Sequence, residues 1–244
     1  MRALFKYPDS LVRISSPFCP GCGHGIIHRL VAQAIDDLKI REKTVGVVGV
    51  GCSSQSWNLF NFDFLAVPHG RPGAAATGVK RSLPDHLVFT YQGDGDAYAI
   101  GIAELMHAAI RGENFTVIVV NNTMFAMTGG QMAPTTLAGQ VTSTSPSGRD
   151  PRATGTPVHF PELIANIPGV AYSARVAVDS VPNIRKAGQA IAKAFRKQND
   201  KAGFSLVEVL APCPTGLNLK PAEAMAWVAE HLEAEFPLGE FADR

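Results

Sequence analysis

Apolar residues fall into two spacings along the chain. Ile26, Ile27, Leu30, Val31, Ala34, Ile35 and Leu38 recur every three or four positions, which predicts an amphipathic helix behind the turn Cys19-Pro20-Gly21-Cys22-Gly23. Thr44 to Val50 (TVGVVGV) is an unbroken apolar, β-branched run, the mark of a strand buried on both faces. Ala74 to Leu83 predicts a helix ended by Pro84, and Leu87 to Tyr91 a strand that runs into Gly93-Asp94-Gly95. Tyr98 to Arg111 predicts a helix stopped by Gly112, and Phe115 to Val120 a strand ending at Asn121-Asn122. From Thr123 to about Pro157 there is little period but much Gly, Ser, Thr and Pro. Val170 to Val178 then reads as a strand, Pro182 to Arg196 as a helix, Phe204 to Leu210 as a strand and Pro221 to Glu235 as a helix. Pro237 to Arg244 reads as a loose tail.

This alternation predicts one α/β domain over residues 1–244, a mostly parallel sheet with helices on both faces. In such folds ligands collect at the carboxyl ends of strands. Gly51-Cys52-Ser53, Gly93-Asp94-Gly95 and Asn121-Asn122 all follow predicted strands. A stretch as long as Thr123 to Pro157 without regular structure points to a functional loop. Phe60, Phe62 and Phe64 alternate at strand period, which suits core or a subunit contact within Trp57 to Val67.

Composition narrows the classes of function. Hydrophobic residues make up 46% of the chain, enough for a sizeable core, and 22 basic against 21 acidic residues leave a net charge of +1. That balance carries no electrostatic footprint for nucleic acid. No apolar run reaches the length of a membrane span, and Met1 to Pro8 lacks the apolar stretch of a secretory signal. A cytoplasmic location is expected, where four cysteines read as metal ligands or redox groups rather than disulfides.

Cys19 and Cys22 form a C-P-G-C pair, while Cys52 and Cys213 are single and each follows a strand. A zinc ribbon would need a second close pair, and a thioredoxin-like pair would follow a strand rather than precede the first one. One pair and two singles suit an iron–sulfur cluster, which takes four thiolates without fixed spacing. Cys52 and Cys213 read equally as small buried hydrophobes.

Asp94 and Asn122 stand at the ends of two successive strands, with 25 residues between Gly95 and Asn121, room for a crossover helix and one strand. A right-handed crossover sets those strand ends side by side. An Asp and an Asn there, with glycines that admit a close backbone, make a site for Mg²⁺ and a diphosphate. Alone, Gly-Asp-Gly is a common turn; the Asn-Asn at this distance makes the pair specific.

With these motifs in place, the chain resembles the β subunits of 2-oxoacid:ferredoxin oxidoreductases. The resemblance runs from Cys19 to about Gly216 and rests on CPGCG, GCS after the first strand, HGR…ATG, the GDG…NN pair of thiamin diphosphate enzymes, and NTMFAMTGGQMAPTT. VFTYQGDGDAYAIGIAELMHAAIRGE and MAPTTLAGQVTSTSPSGRD look most like the 2-ketoisovalerate (3-methyl-2-oxobutanoate) branch.

The resemblance implies the diphosphate-binding half of a thiamin diphosphate fold. It implies that Cys19, Cys22, Cys52 and Cys213 hold a 4Fe–4S cluster, and that Asp94, Asn122 and the backbone carbonyl of Met124 hold Mg²⁺. Gly93, Gly95 and Asp96 would lie along the diphosphate, with Ser53, His69 and Arg71 near the cofactor. Thr128, Gly129 and Gly130 would form the loop after the metal site. Met127 stands where pyruvate enzymes carry an Asn near the substrate, and its apolar side chain fits a branched aliphatic 2-oxoacid. His69 reads equally as a structural histidine and Arg71 as a surface ion-pair partner. His24 reads as helix-start chemistry, and Arg149 as a turn residue or as a contact for an anionic part of coenzyme A.

The implied reaction is thiamin-dependent oxidative decarboxylation of a 2-oxoacid to acyl-CoA and CO₂, with electrons passed to the cluster and on to ferredoxin. Implied partners are an α subunit that supplies the activating Glu, a γ subunit and a ferredoxin-like δ subunit. Alternatives are 2-oxoglutarate, pyruvate or aryl-2-oxoacid (phenylglyoxylate-type) substrates, a non-oxidative thiamin-dependent decarboxylase, and a metal-binding electron carrier without thiamin.

Overall fold

The protein is described here by a computed structural model that covers residues 6–244; Met1 to Phe5, part of the segment read for a secretory signal, lie outside the described residues. Helix α1 (His24–Leu38) leads into β1 (Thr44–Val48) and a 3₁₀ stretch (Cys52–Asn58). Then follow β2 (Asp63–Ala66), α2 (Pro72–Ser82), β3 (Leu87–Gly93), a π turn (Asp96–Ile100), α3 (Ile102–Arg111) and β4 (Thr116–Asn121). The long middle segment holds a small hairpin of β5 (Met124–Phe125) and β6 (Gln131–Met132), then α4 (Pro151–Thr154) and α5 (Phe160–Ile164). The chain continues through β7 (Val170–Ala177), α6 (Val181–Asn199), β8 (Phe204–Leu210), α7 (Pro214–Leu217), α8 (Pro221–Trp227), a π turn (Val228–Leu232), α9 (Glu233–Glu235) and β9 (Gly239–Asp243).

Seven strands form one sheet in the order β2-β1-β3-β4-β8-β7-β9, parallel throughout except for β9. Inside the continuous apolar runs the period of two still sorts side chains to opposite faces. Phe89, Tyr91, Ile118 and Val120 face α1 and α6, where they meet Ile27, Val31, Ile35, Ile191 and Phe195. Val88, Val117 and Val119 face the other way, onto Leu105, Ala108, Phe160 and Ile164 of α3 and α5. Each large side chain buried here contributes about 1.5–3 kcal/mol. The expected sheet with helices on both faces is what the chain builds. No helix among the described residues is long and apolar enough to cross a membrane.

Three expectations need correction. Pro237 to Arg244 is not a loose tail: β9 pairs antiparallel with β7, Tyr172 donates to Glu240 at 2.7 Å, and Lys193 reaches Glu240 and Asp243, each at 2.8 Å. The strand escapes notice because GEFAD holds only Phe241 and Ala242 as apolar residues. The helix expected from Tyr98 begins earlier, as a π turn with Gly101 between it and α3. The helix expected over Pro221 to Glu235 likewise contains a π turn at its centre.

Candidate active site

Four neighbouring strands aim their carboxyl ends at one edge of the sheet. Cys52 follows β1, Asp94 follows β3, Asn122 follows β4 and Cys213 follows β8, and these strands are adjacent in that order. The N-terminal turn docks on the same edge: the Gly23 amide donates to the Pro212 carbonyl at 3.2 Å. A Cβ at Gly23 would stand 2.6 Å from the Ala211 side chain, so glycine permits the approach that brings Cys19 and Cys22 to Cys213.

A cavity of about 320 Å³ opens along this edge. Its wall includes His24, Cys52, Ser53, His69, Gly93, Asp94, Gly95, Asp96, Asn122, Met124, Met127 and Thr128. Gly129 and Arg71 are not part of that wall. Arg71 is instead ion-paired with Glu104.

Asp94 is buried, accepts from the Gly95 amide at 2.9 Å and accepts a short hydrogen bond from the Thr135 hydroxyl. Burial pushes its carboxyl up to about 7, although those two donors pull the other way. Asn122 accepts from the Met124 amide at 3.3 Å. Between them Thr123 adopts φ +66°, a left-handed conformation that costs a β-branched residue about 1–3 kcal/mol. It is held there by Asn121 Oδ1 on its amide at 3.1 Å, Gln140 on its hydroxyl at 2.8 Å and Thr136 on its carbonyl at 2.5 Å. This clamped turn brings Asn122 and Met124 to the same cavity wall. The Thr135, Thr136 and Gln140 contributions come from the long middle segment, whose function the sequence signals only by its length.

The four thiols share one neighbourhood. Burial pushes Cys22 up to about 12 and Cys213 up to about 11, and the other cysteines add to each rise. Cys52 is raised by burial and by Cys19, and Cys213 also feels Asp94. His24, stacked on Phe18 and hydrogen-bonded through Nδ1 to the Tyr91 hydroxyl at 2.8 Å, lines the cavity beside Cys52. Among the described residues no three Cys, His, Asp or Glu side chains close around a single ion.

Two observations test the expected cofactors. A buried carboxylate with two donors and a raised pKa is one that a dication would relieve, so Asp94 fits Mg²⁺. Ser53 carries a buried hydroxyl in the cavity wall without a hydrogen-bond partner, a ready donor to a diphosphate. The thiols are all free, which leaves four sulfurs for a cluster. Asp96 does not present its carboxylate to a diphosphate alone. It accepts from Gly70 N at 2.6 Å and Gln92 Nε2 at 2.8 Å, with His69 Nδ1 2.9 Å away.

Arg149 does not face solvent in a turn. It is buried and its guanidinium donates to the carbonyls of Pro134, Thr136, Thr154 and Thr156, so it pins the long segment from within. Phe64 stacks on Phe60 and Phe62, all three meet Phe89 edge-on, and they pack on the chain's own core.

The family described as thiamine pyrophosphate enzyme, C-terminal TPP binding domain, matches residues 49–209. The ketoisovalerate oxidoreductase subunit VorA of Methanothermobacter thermautotrophicus is 44% identical over the whole of this chain and 53% of its own length. The chain therefore spans about half the length of that relative. The 2-oxoglutarate synthase subunit KorB of Archaeoglobus fulgidus is 38% identical over 95% of this chain and 81% of its own. The structure of 2-oxoglutarate:ferredoxin oxidoreductase from Magnetococcus marinus, with 2-oxoglutarate, coenzyme A and succinyl-CoA bound, superposes with a TM-score of 0.79 at 25% identity, covering 99% of this chain and 86% of that one. By this likeness over its full length, the chain belongs to the thiamin diphosphate-binding β subunits of the 2-oxoacid:ferredoxin oxidoreductase family.

Proposed function

We propose that the chain is the catalytic subunit that oxidises a branched 2-oxoacid, 2-ketoisovalerate best of all, to CO₂ and an acyl-CoA. Electrons leave through a 4Fe–4S cluster on Cys19, Cys22, Cys52 and Cys213 and pass to ferredoxin. The observation that carries this is that Cys52, one of the four thiols that share a neighbourhood, lines the same cavity as Asp94.

Asp94, Asn122 and the Met124 carbonyl hold Mg²⁺, and the Ser53 hydroxyl donates to the diphosphate. Bound there, thiamin diphosphate supplies the carbon nucleophile and the electron sink for decarboxylation. A cluster anchored through Cys52 on that wall shortens the path for electrons, which a non-oxidative decarboxylase does not need. Among the described residues no Glu lines the cavity, in line with an activating carboxylate supplied by an α subunit. The γ and ferredoxin-like δ subunits complete the assembly. Among the described residues no Lys or Arg lines the cavity either, while Val50, Phe125, Ala126 and Met127 do. That lining suits an aliphatic side chain and offers no cation to the second carboxylate of 2-oxoglutarate. The relative named for ketoisovalerate is in line with this.

The test is anaerobic co-production with the partner chains, with iron, acid-labile sulfide and thiamin measured per β subunit. About four irons with matching sulfide, reduced on addition of 2-ketoisovalerate and coenzyme A, support the proposal. Zinc, or aldehyde release without reduction, overturns it.

A further inference from the structure

His69 sits between two acceptors. Its Nδ1 lies 3.0 Å from the Val50 carbonyl oxygen and 2.9 Å from Asp96 Oδ1. A carbonyl oxygen only accepts, so Nδ1 carries the proton and the ring's lone pair is on Nε2. Nε2 has no protein partner among the described residues, and the ring, about a quarter exposed (27%), forms part of the cavity wall.

The carboxylate behind it is fixed from every side. Oδ1 accepts from Gly70 N at 2.6 Å and Oδ2 from Gln92 Nε2 at 2.8 Å. A Cβ on Gly49 would stand 2.5 Å from both carboxylate oxygens, so β1 leaves a notch in which the Asp96 side chain lies. The residue next to His69 is thus hydrogen-bonded to the same carboxylate as its ring. Sequence and fold spend five residues, Gly49, Gly70, Gln92, Asp96 and Val50, on the orientation of one imidazole at the edge of a cavity. A surface histidine held only for packing needs none of this.

Resting on the function proposed above, we propose that His69 is the proton acceptor for the thiol that takes the acyl group, and that Asp96 is its positioning residue. The S–H bond breaks, the proton goes to His69 Nε2 and the electron pair stays on sulfur, which becomes the nucleophile. The Asp96 carboxylate balances the imidazolium that forms. A thiol is the proton donor that an imidazole matches best in acidity, whereas an alcohol would hold its proton too tightly.

The test uses the assembled holoenzyme with ¹⁵N-histidine in the β chain. His69, assigned by its loss in His69→Gln, is expected as the Nδ1–H tautomer. That population falls in Asp96→Ala. Asp96→Asn restores it, because Asn can keep an oxygen toward both Gly70 and His69. In His69→Gln, kcat for acyl-CoA formation falls on the order of 10²-fold, with KM for coenzyme A within about threefold and at least tenfold more than the fall in 2-oxoacid-driven reduction of the iron. An Nε2–H tautomer in the wild type overturns the assignment. So does acyl transfer within threefold of wild type, or an equal fall in both half-reactions. A wild-type complex that never reduces its iron sinks the proposed function instead, and the tautomer still decides the role of Asp96.

Discussion

Arg175 and Glu208 face each other across the register pair of β7 and β8, Nε 2.5 Å from Oε1, with neither side chain exposed. Tyr98, from the π turn after the Gly-Asp-Gly motif, donates to the other oxygen of Glu208 at 2.7 Å, and Glu162 grips the far side of Arg175 at 2.5 and 2.7 Å. The network ties the sheet to the turn that follows Asp94. Replacing Glu208 with Ala leaves a guanidinium buried with one partner fewer. A loss of about 3–5 kcal/mol is expected, measured by denaturant unfolding. A loss under 1 kcal/mol would mean the pair is dispensable.

His28 is buried against Phe60 and Tyr91 and bonded to the Ser56 hydroxyl at 2.8 Å. Burial, with His24 adding to it, holds its pKa well below the usual value. Below about pH 6.5 the unfolded chain takes up a proton there that the folded chain refuses. Stability is therefore full above that pH and declines as pH falls. In His28→Gln the decline below pH 6.5 is expected to flatten, by at most about 1.4 kcal/mol per pH unit. Unfolding curves at a series of pH values check this; an unchanged slope refutes it.

Cys213→Ser is expected to lose the iron of the β subunit while thiamin diphosphate still binds at Asp94. Iron analysis and equilibrium binding of the cofactor, run on the same preparation, give both numbers. Iron that survives would remove Cys213 from the ligand set.

Met127 is nearly half exposed at the cavity mouth. Met127→Arg places a cation where a dicarboxylate would need one. The ratio of kcat/KM for 2-oxoglutarate over 2-ketoisovalerate is expected to rise on the order of tenfold. A ratio that stays put would assign selectivity to the α subunit.

Much of this was legible in the residues. The apolar runs at Thr44, Leu87, Phe115 and Phe204 mark strands because a parallel sheet buries both faces. Asp94 and Asn122 were legible as neighbours because a crossover of one helix has only one common hand. The β9 strand was not, since its hold on β7 comes from Lys193 and Tyr172, far away in sequence. Thr135, the hydroxyl on Asp94, was hidden in a segment without period. Arg149 misled because a cation in a Gly-Ser turn looks solvent-facing, whereas here it satisfies carbonyls that no strand or helix pairs. Arg71 makes the ion pair that its plain reading expects, with Glu104.

The close approach of Gly49 to the Asp96 carboxylate binds two positions into one inherited unit, and at Gly101 a Cβ would stand 2.5 Å from the Asp96 carbonyl oxygen. Gly49 cannot acquire a side chain while the aspartate stays, whereas Gly101 meets only main-chain atoms of positions 96 and 70 and is held whatever residue stands at 96. Among diverging descendants of this chain, position 49 is therefore free to drift only in lineages that have already given up Asp96, while position 101 stays glycine for as long as the backbone keeps this path.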